Sequence, residues 1–109
     1  MNNQTVSKEV TLEADYIKEI TDAAKMKFPE IKRIIVFGSR ALKTSKPGSD
    51  IDLAIEGENV TRAVKLNFYD WLNHESNIPY KLDVIDMQSV VNKELLTHIH
   101  ENGKVIYKV

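Results

Sequence analysis

Apolar and polar positions repeat along the chain with a period that changes several times, and each change predicts a new element. From about Leu12 to Phe28 the apolar residues recur at helical spacing, and Pro29 ends this helix because proline disfavours helical geometry in the preceding residue. Two further helices are predicted at about Val60–Asn73 and Val90–His100. Short apolar runs predict four strands, at about Ile31–Phe37, Asp50–Ile55, Tyr80–Ile85 and, at an edge, Lys104–Tyr107.

Two local signals complete the predicted order of elements. A short helix is expected at about Ser39–Leu42, and Gly103 is expected to end the last helix in the left-handed conformation. The resulting order, α-β-α-β-α-β-α-β, favours the α/β (α+β) class, with one mixed β-sheet of about four strands flanked by helices. A chain of 109 residues suits one modest core, so residues 1–109 are expected to form a single domain.

The composition excludes several classes of protein. Hydrophobic residues make up 42% and charged residues 28% of the chain, which is typical of soluble globular proteins. The formal net charge of -1 provides no basic field, so direct binding of nucleic acid is not expected. The absence of cysteine excludes disulfides, thiolate zinc sites and cysteine nucleophiles. No apolar run approaches membrane-spanning length and the polar start is not a signal peptide, so we expect a cytoplasmic protein without a membrane partner.

Three acidic residues carry the candidate chemistry. Asp50 and Asp52 would project from one face of the second strand, and two like charges side by side are unfavourable without a cation between them. Asp83 lies within the apolar third strand, where a lone charge is costly unless it is paired or bound to a metal. If these strands are neighbours, the three carboxylates could meet. Such a set of hard oxygen ligands suits Mg²⁺, and a pair of these ions is the usual arrangement for in-line displacement at phosphorus.

Each acid also has a purely structural interpretation. Asp50 could be a turn residue, and Asp52 a surface residue of its strand. Asp83 could be a buried acid satisfied by backbone N–H groups. Asp86 is the rival third ligand, but it would point to the opposite face from Asp83 and is better explained as a helix cap.

The end of the first strand is the candidate nucleotide-binding segment. Gly38 would let another group approach the backbone closely, and the hydroxyl of Ser39 with nearby N–H groups could bind phosphate oxygens. Arg40, Lys43 and Lys46 add positive charge in the same region. Arg40 is the best candidate of the three, because a guanidinium can form two parallel hydrogen bonds to a phosphate.

The spacing of these motifs resembles a known family. Gly38-Ser39, ten further residues and then Asp50-Ile51-Asp52 resembles the signature of the polymerase-beta-like nucleotidyltransferases, especially their minimal form. The resemblance extends to Leu82–Asp86 and to the ending Ile99–Tyr107, and covers most of the chain after Pro29. It implies the nucleotidyltransferase fold, in which Asp50, Asp52 and Asp83 are the metal-binding catalytic carboxylates.

The resemblance also implies roles for the remaining motif residues. Asp83 would help to activate the acceptor hydroxyl, while Gly38 and Ser39 would hold the nucleotide phosphates. Relatives often continue Gly-Ser-Arg-Ala with arginine and glycine, whereas this chain has Leu42 and Lys43. This departure affects the region that binds nucleotide and acceptor, and it leaves the metal ligands untouched.

A specific activity follows from the resemblance. The protein would transfer a nucleoside monophosphate, AMP from ATP or the equivalent from another triphosphate, to a hydroxyl acceptor with the help of two Mg²⁺ ions. Minimal members are often encoded with a small helical HEPN-domain partner, and several such pairs resemble toxin–antitoxin systems in which a tyrosine of the partner receives AMP. An oligomer or hetero-complex is therefore expected. The alternative is a non-catalytic module that neutralises its helical partner by complex formation; the intact carboxylate trio favours the enzyme.

Overall fold

The protein is described by a computed structural model that covers residues 12–46 and 48–109. The first eleven residues of the expected domain and Pro47 of the predicted loop lie outside the described residues. None of the described helices is long and apolar enough to cross a membrane. The elements of this part of the chain are α1 (Ala14–Lys27), β1 (Arg33–Phe37), α2 (Ser39–Leu42), β2 (Ile51–Glu56), α3 (Arg62–Asp70), β3 (Leu82–Asp86), α4 (Lys93–Asn102) and β4 (Lys104–Lys108).

The predicted order of helices and strands is confirmed, although several bounds differ. The third helix was predicted to continue to Asn73, but α3 changes to a π-helical turn at Trp71–Glu75. The fourth helix was predicted from Val90 but begins at Lys93, because the side chain of Asn92 accepts a hydrogen bond from the Leu95 N–H at 3.1 Å and caps the helix there. Asp50 lies one residue before β2 rather than inside it.

The four strands form one mixed sheet in the order β3-β2-β1-β4. β1 is antiparallel to both β2 and β4, whereas β2 and β3 are parallel neighbours joined by the crossover that contains α3. β4 is an edge strand, as predicted, and β3 forms the other edge. The mixed sheet with flanking helices confirms the predicted fold class.

The two faces of the sheet are covered unequally. The larger core lies on the face under α1 and α3, where Ile34, Val36 and Leu53 are fully buried with Ile20 and Phe68. On the opposite face, Ile35 and Ala54 pack against Ile99 of α4 and Met87. Phe37 and Ile85 are only partly buried on that second face. The second face is therefore the one on which polar groups can lie beside the core without being sealed from solvent.

Gly103 does not have the conformation predicted for it. Its φ of -67° and ψ of 151° are extended, so the prediction of a left-handed cap is wrong. The residue is glycine because α4 ends against β1: an added Cβ would collide with the carbonyl oxygen of Ile99 and lie 2.6 Å from Cγ2 of Ile35. The Gly103 N–H instead donates to that same Ile99 carbonyl at 2.8 Å. Close packing therefore explains this glycine.

Candidate active site

Two of the three predicted acids lie side by side in the sheet. Asp52 on β2 and Asp83 on β3 are register partners in the parallel pair, and Phe37 on β1 is the register partner of Asp52 on the other side. Register partners share a face, and neighbouring strands are about 4.8 Å apart. Phe37, Asp52 and Asp83 therefore form one row across three strands, on the thinly covered face of the sheet. Both carboxylates are half-buried.

The charges of all three acids interact. The pKa of the Asp52 carboxyl is raised above its ordinary value, first because burial disfavours the charged form, then because of the nearby charges of Asp83 and Asp50. Asp50 itself is exposed, one residue before β2. The structure thus places the Asp52 carboxyl within reach of the charges of both Asp83 and Asp50.

The three carboxylates have the donor chemistry that a divalent ion requires. Carboxylate oxygens are the hard ligands that Mg²⁺ prefers, and a cation would offset the repulsion that raises the pKa of Asp52. Within residues 12–46 and 48–109, no group of three or more histidine, aspartate or glutamate side chains already has the arrangement of a metal site. The trio therefore fits Mg²⁺ by ligand type and charge, and the assignment of Asp50, Asp52 and Asp83 as ligands stays a prediction.

Gly38 lies directly against the central carboxylate. Its backbone has φ 75° and ψ -152°, a region that only glycine adopts readily, and it caps the start of α2. A Cβ added to Gly38 would lie 2.5 Å from Oδ2 of Asp52. The absence of a side chain at this position is therefore what allows the Gly38–Ser39 backbone and the Asp52 carboxylate to be neighbours. The binding of phosphate by Gly38 and Ser39 stays a prediction.

Arg40 is directed into the protein. Its side chain is 4% exposed, and its Nη2 donates a hydrogen bond to the Ser49 carbonyl oxygen at 2.6 Å. The guanidinium also lies over the ring of Tyr80, with Cζ 4.4 Å from the ring centroid. Arg40 therefore joins the segment after β1 to the segments that precede β2 and β3. Nucleotide binding by Arg40 stays a prediction.

The loop after α2 begins with a residue, Lys43, whose backbone conformation is strained. Lys43 ends α2 with φ 61° and ψ 29°, the left-handed conformation, which is uncommon for residues other than glycine. It is also the position at which the family resemblance leads us to expect glycine. The preceding Leu42 is 47% exposed. Further along, the Ser49 hydroxyl donates to the Lys46 carbonyl at 2.7 Å and accepts from the Lys46 N–H at 2.9 Å, which closes the loop just before Asp50.

The rival ligand Asp86 has the structural role expected of it. Its carboxylate accepts hydrogen bonds from the Gln88 N–H at 3.1 Å and from the Ser89 hydroxyl at 3.3 Å. Asp86 is buried, and it lies three residues after Asp83, so the two side chains point to opposite faces of β3. The interpretation of Asp86 as a cap is confirmed for the 3₁₀ turn Met87–Ser89, whereas α4 is capped by Asn92.

Tyr80 is the residue that sequence reasoning missed. It was assigned to the start of the third strand and given no function, yet its ring contacts Arg40 and meets Tyr16 edge to face at 5.8 Å. Its hydroxyl donates to Oε2 of Glu13 at 2.9 Å. These partners are distant in sequence, and an isolated tyrosine before a strand has no local pattern that would have indicated them.

Comparison with solved structures shows where this fold occurs. A crystal structure described as a toxin-antitoxin with AMP-PNP has 20% identity and a TM-score of 0.71, over 85% of this chain and 73% of the matched chain. Another, described as the toxin-antitoxin MntA-HepT, has 17% identity and a TM-score of 0.68, over 89% and 74%. A third, of a protein from Shewanella oneidensis, has 17% identity and a TM-score of 0.64, over 89% and 74%. At these identities the similarity establishes the fold.

Sequence comparison identifies the family. No curated protein sequence matches the chain. The profile of the family described as "Polymerase beta, Nucleotidyltransferase" matches residues 18–109, which is well over half of the chain and includes every predicted site residue. The chain therefore belongs to the Polymerase beta, Nucleotidyltransferase family, and it is a nucleotidyltransferase.

Proposed function

We propose that this nucleotidyltransferase is magnesium-dependent and transfers AMP from ATP to a hydroxyl acceptor, a tyrosine of a HEPN-domain toxin, and thereby acts as an antitoxin. The observation that carries the proposal is the register of Asp52 with Asp83 on parallel neighbouring strands, with Gly38 directly against the Asp52 carboxylate. The arrangement supports a site at which carboxylates and a phosphate-binding turn act on the same substrate.

Each site residue has a proposed role. Asp50, Asp52 and Asp83 would hold the divalent ions, which supply the positive charge that a triphosphate and three carboxylates require. The Gly38 backbone and the Ser39 hydroxyl would hydrogen-bond phosphate oxygens. Arg40 stays in the proposed nucleotide-binding set because it carries a positive charge and follows Ser39 directly in the chain. Another nucleoside triphosphate could replace ATP without changing these roles.

The proposed reaction is one displacement at phosphorus. The acceptor hydroxyl oxygen forms a bond to the α-phosphorus, and the bond between that phosphorus and the oxygen bridging to the β-phosphate breaks. Pyrophosphate leaves, and the proton of the acceptor hydroxyl passes to the Asp83 carboxylate. Asp83 is suited to this role because it lies at the edge strand of the sheet, where an acceptor can approach from outside.

The partner is proposed from the same fold comparison. Two structurally similar proteins are described as toxin–antitoxin pairs, and one of those crystals contains AMP-PNP. We propose that residues 1–109 form a single minimal nucleotidyltransferase domain that works in the cytoplasm in a complex with a small helical HEPN-domain protein. The acceptor would then be presented by the docked partner.

Transfer of label tests the reaction. The purified protein is incubated with Mg²⁺, ATP labelled at the α-phosphate and a helical protein encoded beside it. We expect label on the partner, no label when ATP carries it at the γ-phosphate, and loss of transfer when the metal is chelated. Asp52→Asn and Asp83→Asn should each reduce transfer by at least about a hundredfold, as expected for groups that stabilise developing charge.

The label-transfer experiment includes a matched control and distinguishes the enzyme from the rival, non-catalytic function. Asp70→Asn makes the same chemical change at an exposed position at the end of α3 and should leave transfer unchanged. Tight complex formation without any label transfer would contradict the enzymatic proposal and support the binding module that neutralises its partner by occupying it. Label from the γ-phosphate would instead indicate phosphoryl transfer.

A further inference from the structure

Three chain segments that carry the proposed site meet at one buried side chain. The first contains Gly38 and Ser39 and continues into Arg40; the second ends at Ser49, next to Asp50; the third contains Tyr80, three residues before Asp83. Nη2 of Arg40 reaches the Ser49 carbonyl at 2.6 Å, and its guanidinium covers the Tyr80 ring at 4.4 Å. We call the contact among Arg40, Ser49 and Tyr80 the arginine clamp.

The components of the arginine clamp are firmly held. Arg40 is 4% exposed, so its interactions are largely shielded from water. A hydrogen bond from a charged donor and a cation–π contact are both stronger where water is excluded. Tyr80 is also held by its T-shaped contact with the Tyr16 ring and by the hydrogen bond from its hydroxyl to Glu13. The start of α1 therefore supports the ring on which Arg40 rests.

The arginine clamp acts where β2 and β3 begin. The Ile51 N–H donates to the Lys81 carbonyl at 2.9 Å, so the two strands are joined one residue after Asp50 and one residue after Tyr80. The backbone on the outer side of this bond is held by Arg40 through Ser49 and Tyr80. A change in the arginine clamp would therefore shift Asp50, which follows Ser49 directly, and would shift Asp83 by displacing the start of β3. The pairing of Asp52 within the sheet would be kept.

We propose that Arg40 and Tyr80 position Asp50 and Asp83 relative to Gly38, so that Tyr80 is a positioning residue for the divalent-ion site. This inference rests on the proposed function of that site. Tyr80 touches neither nucleotide nor metal in this proposal. It acts through the guanidinium that it supports, and Arg40 acts through the Ser49 carbonyl.

Binding of Mn²⁺ in the presence of a non-hydrolysable ATP analogue provides the test. The full-length protein is titrated, and the electron paramagnetic resonance signal of free Mn²⁺ gives the dissociation constant without any acceptor or turnover. Tyr80→Leu removes the ring and should weaken Mn²⁺ binding about 10- to 100-fold, the range expected when a group that orients metal ligands is lost. Tyr80→Phe keeps the ring beneath Arg40 and should bind Mn²⁺ like the wild type.

Tyr107→Leu is the matched control. Tyr107 is also a partly buried tyrosine that packs on the larger core, but it lies on β4 and pairs with Ile34. The substitution removes the same groups and should leave Mn²⁺ affinity unchanged, even if it lowers the melting temperature as much as Tyr80→Leu does. Equal Mn²⁺ affinities for Tyr80→Leu and Tyr107→Leu would overturn the proposal.

A double-mutant cycle separates positioning from direct phosphate contact by Arg40. Arg40→Lys keeps the charge but should lose the Ser49 contact, and we expect it to weaken Mn²⁺ binding as Tyr80→Leu does. If the two residues act as one unit, combining the substitutions adds little to either alone. Full additivity would overturn the clamp and leave phosphate binding as the only role proposed for Arg40. Should Tyr80→Leu fail to fold, Arg40→Lys and Tyr107→Leu are compared by Mn²⁺ titration without the analogue, where a lost phosphate contact cannot weaken binding; equal affinities would again overturn the clamp.

The same titrations distinguish a failure of the proposed metal site from a failure of the arginine clamp alone. A wild-type protein that binds no Mn²⁺ with the analogue, or an Asp52→Asn variant that binds it equally well, would refute the proposed site and the clamp with it. Binding that depends on Asp52 but not on Tyr80 or Arg40 would refute the clamp alone.

Discussion

Replacement of Gly38 by alanine is the most direct probe of the site geometry. The new Cβ would lie 2.5 Å from Oδ2 of Asp52, and the backbone at φ 75° would be strained as well. Gly48→Ala is the matched control: its φ of 81° also lies in the region that disfavours alanine, but nothing lies within 4 Å of the added Cβ. Gly48→Ala therefore carries the cost of a positive φ without the contact with Asp52.

The expected loss of unfolding free energy has two parts, the strained backbone at Gly38 and the crowding of Asp52. A non-glycine residue in this backbone region costs about 1–3 kcal/mol, partly offset by the lower entropy of unfolded alanine, about 0.4–1 kcal/mol. Crowding a packed site adds about 1–3 kcal/mol. We expect Gly38→Ala to lower the free energy of unfolding by about 2–4 kcal/mol and Gly48→Ala by about 1 kcal/mol.

Thermal and denaturant unfolding measure this difference. With an unfolding entropy of about 2.1 cal/mol/K per residue over 109 residues, each kcal/mol shifts the melting temperature by about 4 °C. Gly38→Ala should therefore melt roughly 9–17 °C below the wild type. In an Asp52→Ala background the close contact is gone, and Gly38→Ala should cost less, by the share that the crowding of Asp52 contributes.

Two results would refute the reasoning about Gly38. One is a Gly38→Ala variant as stable as Gly48→Ala, because the contact with Asp52 would then cost nothing. The other is an undiminished effect of Gly38→Ala in the Asp52→Ala background, because the strain would then arise elsewhere. Either result would mean that the turn after β1 does not lie against the central carboxylate.

Three further predictions concern the surroundings of the site. Lys43→Gly should raise the free energy of unfolding by about 0.5–1 kcal/mol in denaturant titrations, because it relieves the left-handed backbone; a lower stability would contradict this. Asn73→Ala should lower it by about 2–3 kcal/mol, because the Asn73 amide bonds both the N–H and the carbonyl of Leu82; a loss below that of an exposed asparagine substitution would contradict it. The hydrogen bond to Glu13 raises the pKa of Tyr80, so its stabilising effect is present below the ordinary tyrosine pKa and is lost as pH rises through the raised value. Glu13→Gln should lower that pKa, as measured by the ultraviolet absorbance of the phenolate against Tyr80→Phe, and an unchanged titration would refute the contact.

Local patterns in the sequence predicted the elements well and their ends less well. The order of helices and strands follows from apolar periodicity, which reflects which residues must leave water. The ends depend on single capping contacts, such as Asn92 with the Leu95 N–H, that compete with neighbouring possibilities. Gly103 shows a second limit. The sequence suggested that glycine is needed there for a left-handed backbone, whereas the structure shows that it is needed for close packing against Ile35.

In the candidate site as well, the sequence indicated individual residues but not the contacts between distant ones. The sequence singled out Gly38, Asp50 and Asp52 by their spacing, and Asp83 as a lone acid in an apolar strand. It also indicated that Asp86 is a cap. It could not predict that Arg40 is buried beneath the loop, because its partners Ser49 and Tyr80 are brought to it only by the folded sheet. Arg40 had been given a role from the chemistry of a guanidinium, which is common to every arginine.

The sequence by itself determined the order of the elements, the turn at Gly38–Ser39 and the presence of an acidic pair where the second strand begins, since these depend on neighbours within a few residues. Only the tertiary structure decided that β2 and β3 are parallel neighbours, so that Asp52 faces Asp83. Strand order and register are set by the packing of two unequal faces and by contacts between distant residues. For that reason the acids could be selected from the chain, but their meeting could be seen only in the fold.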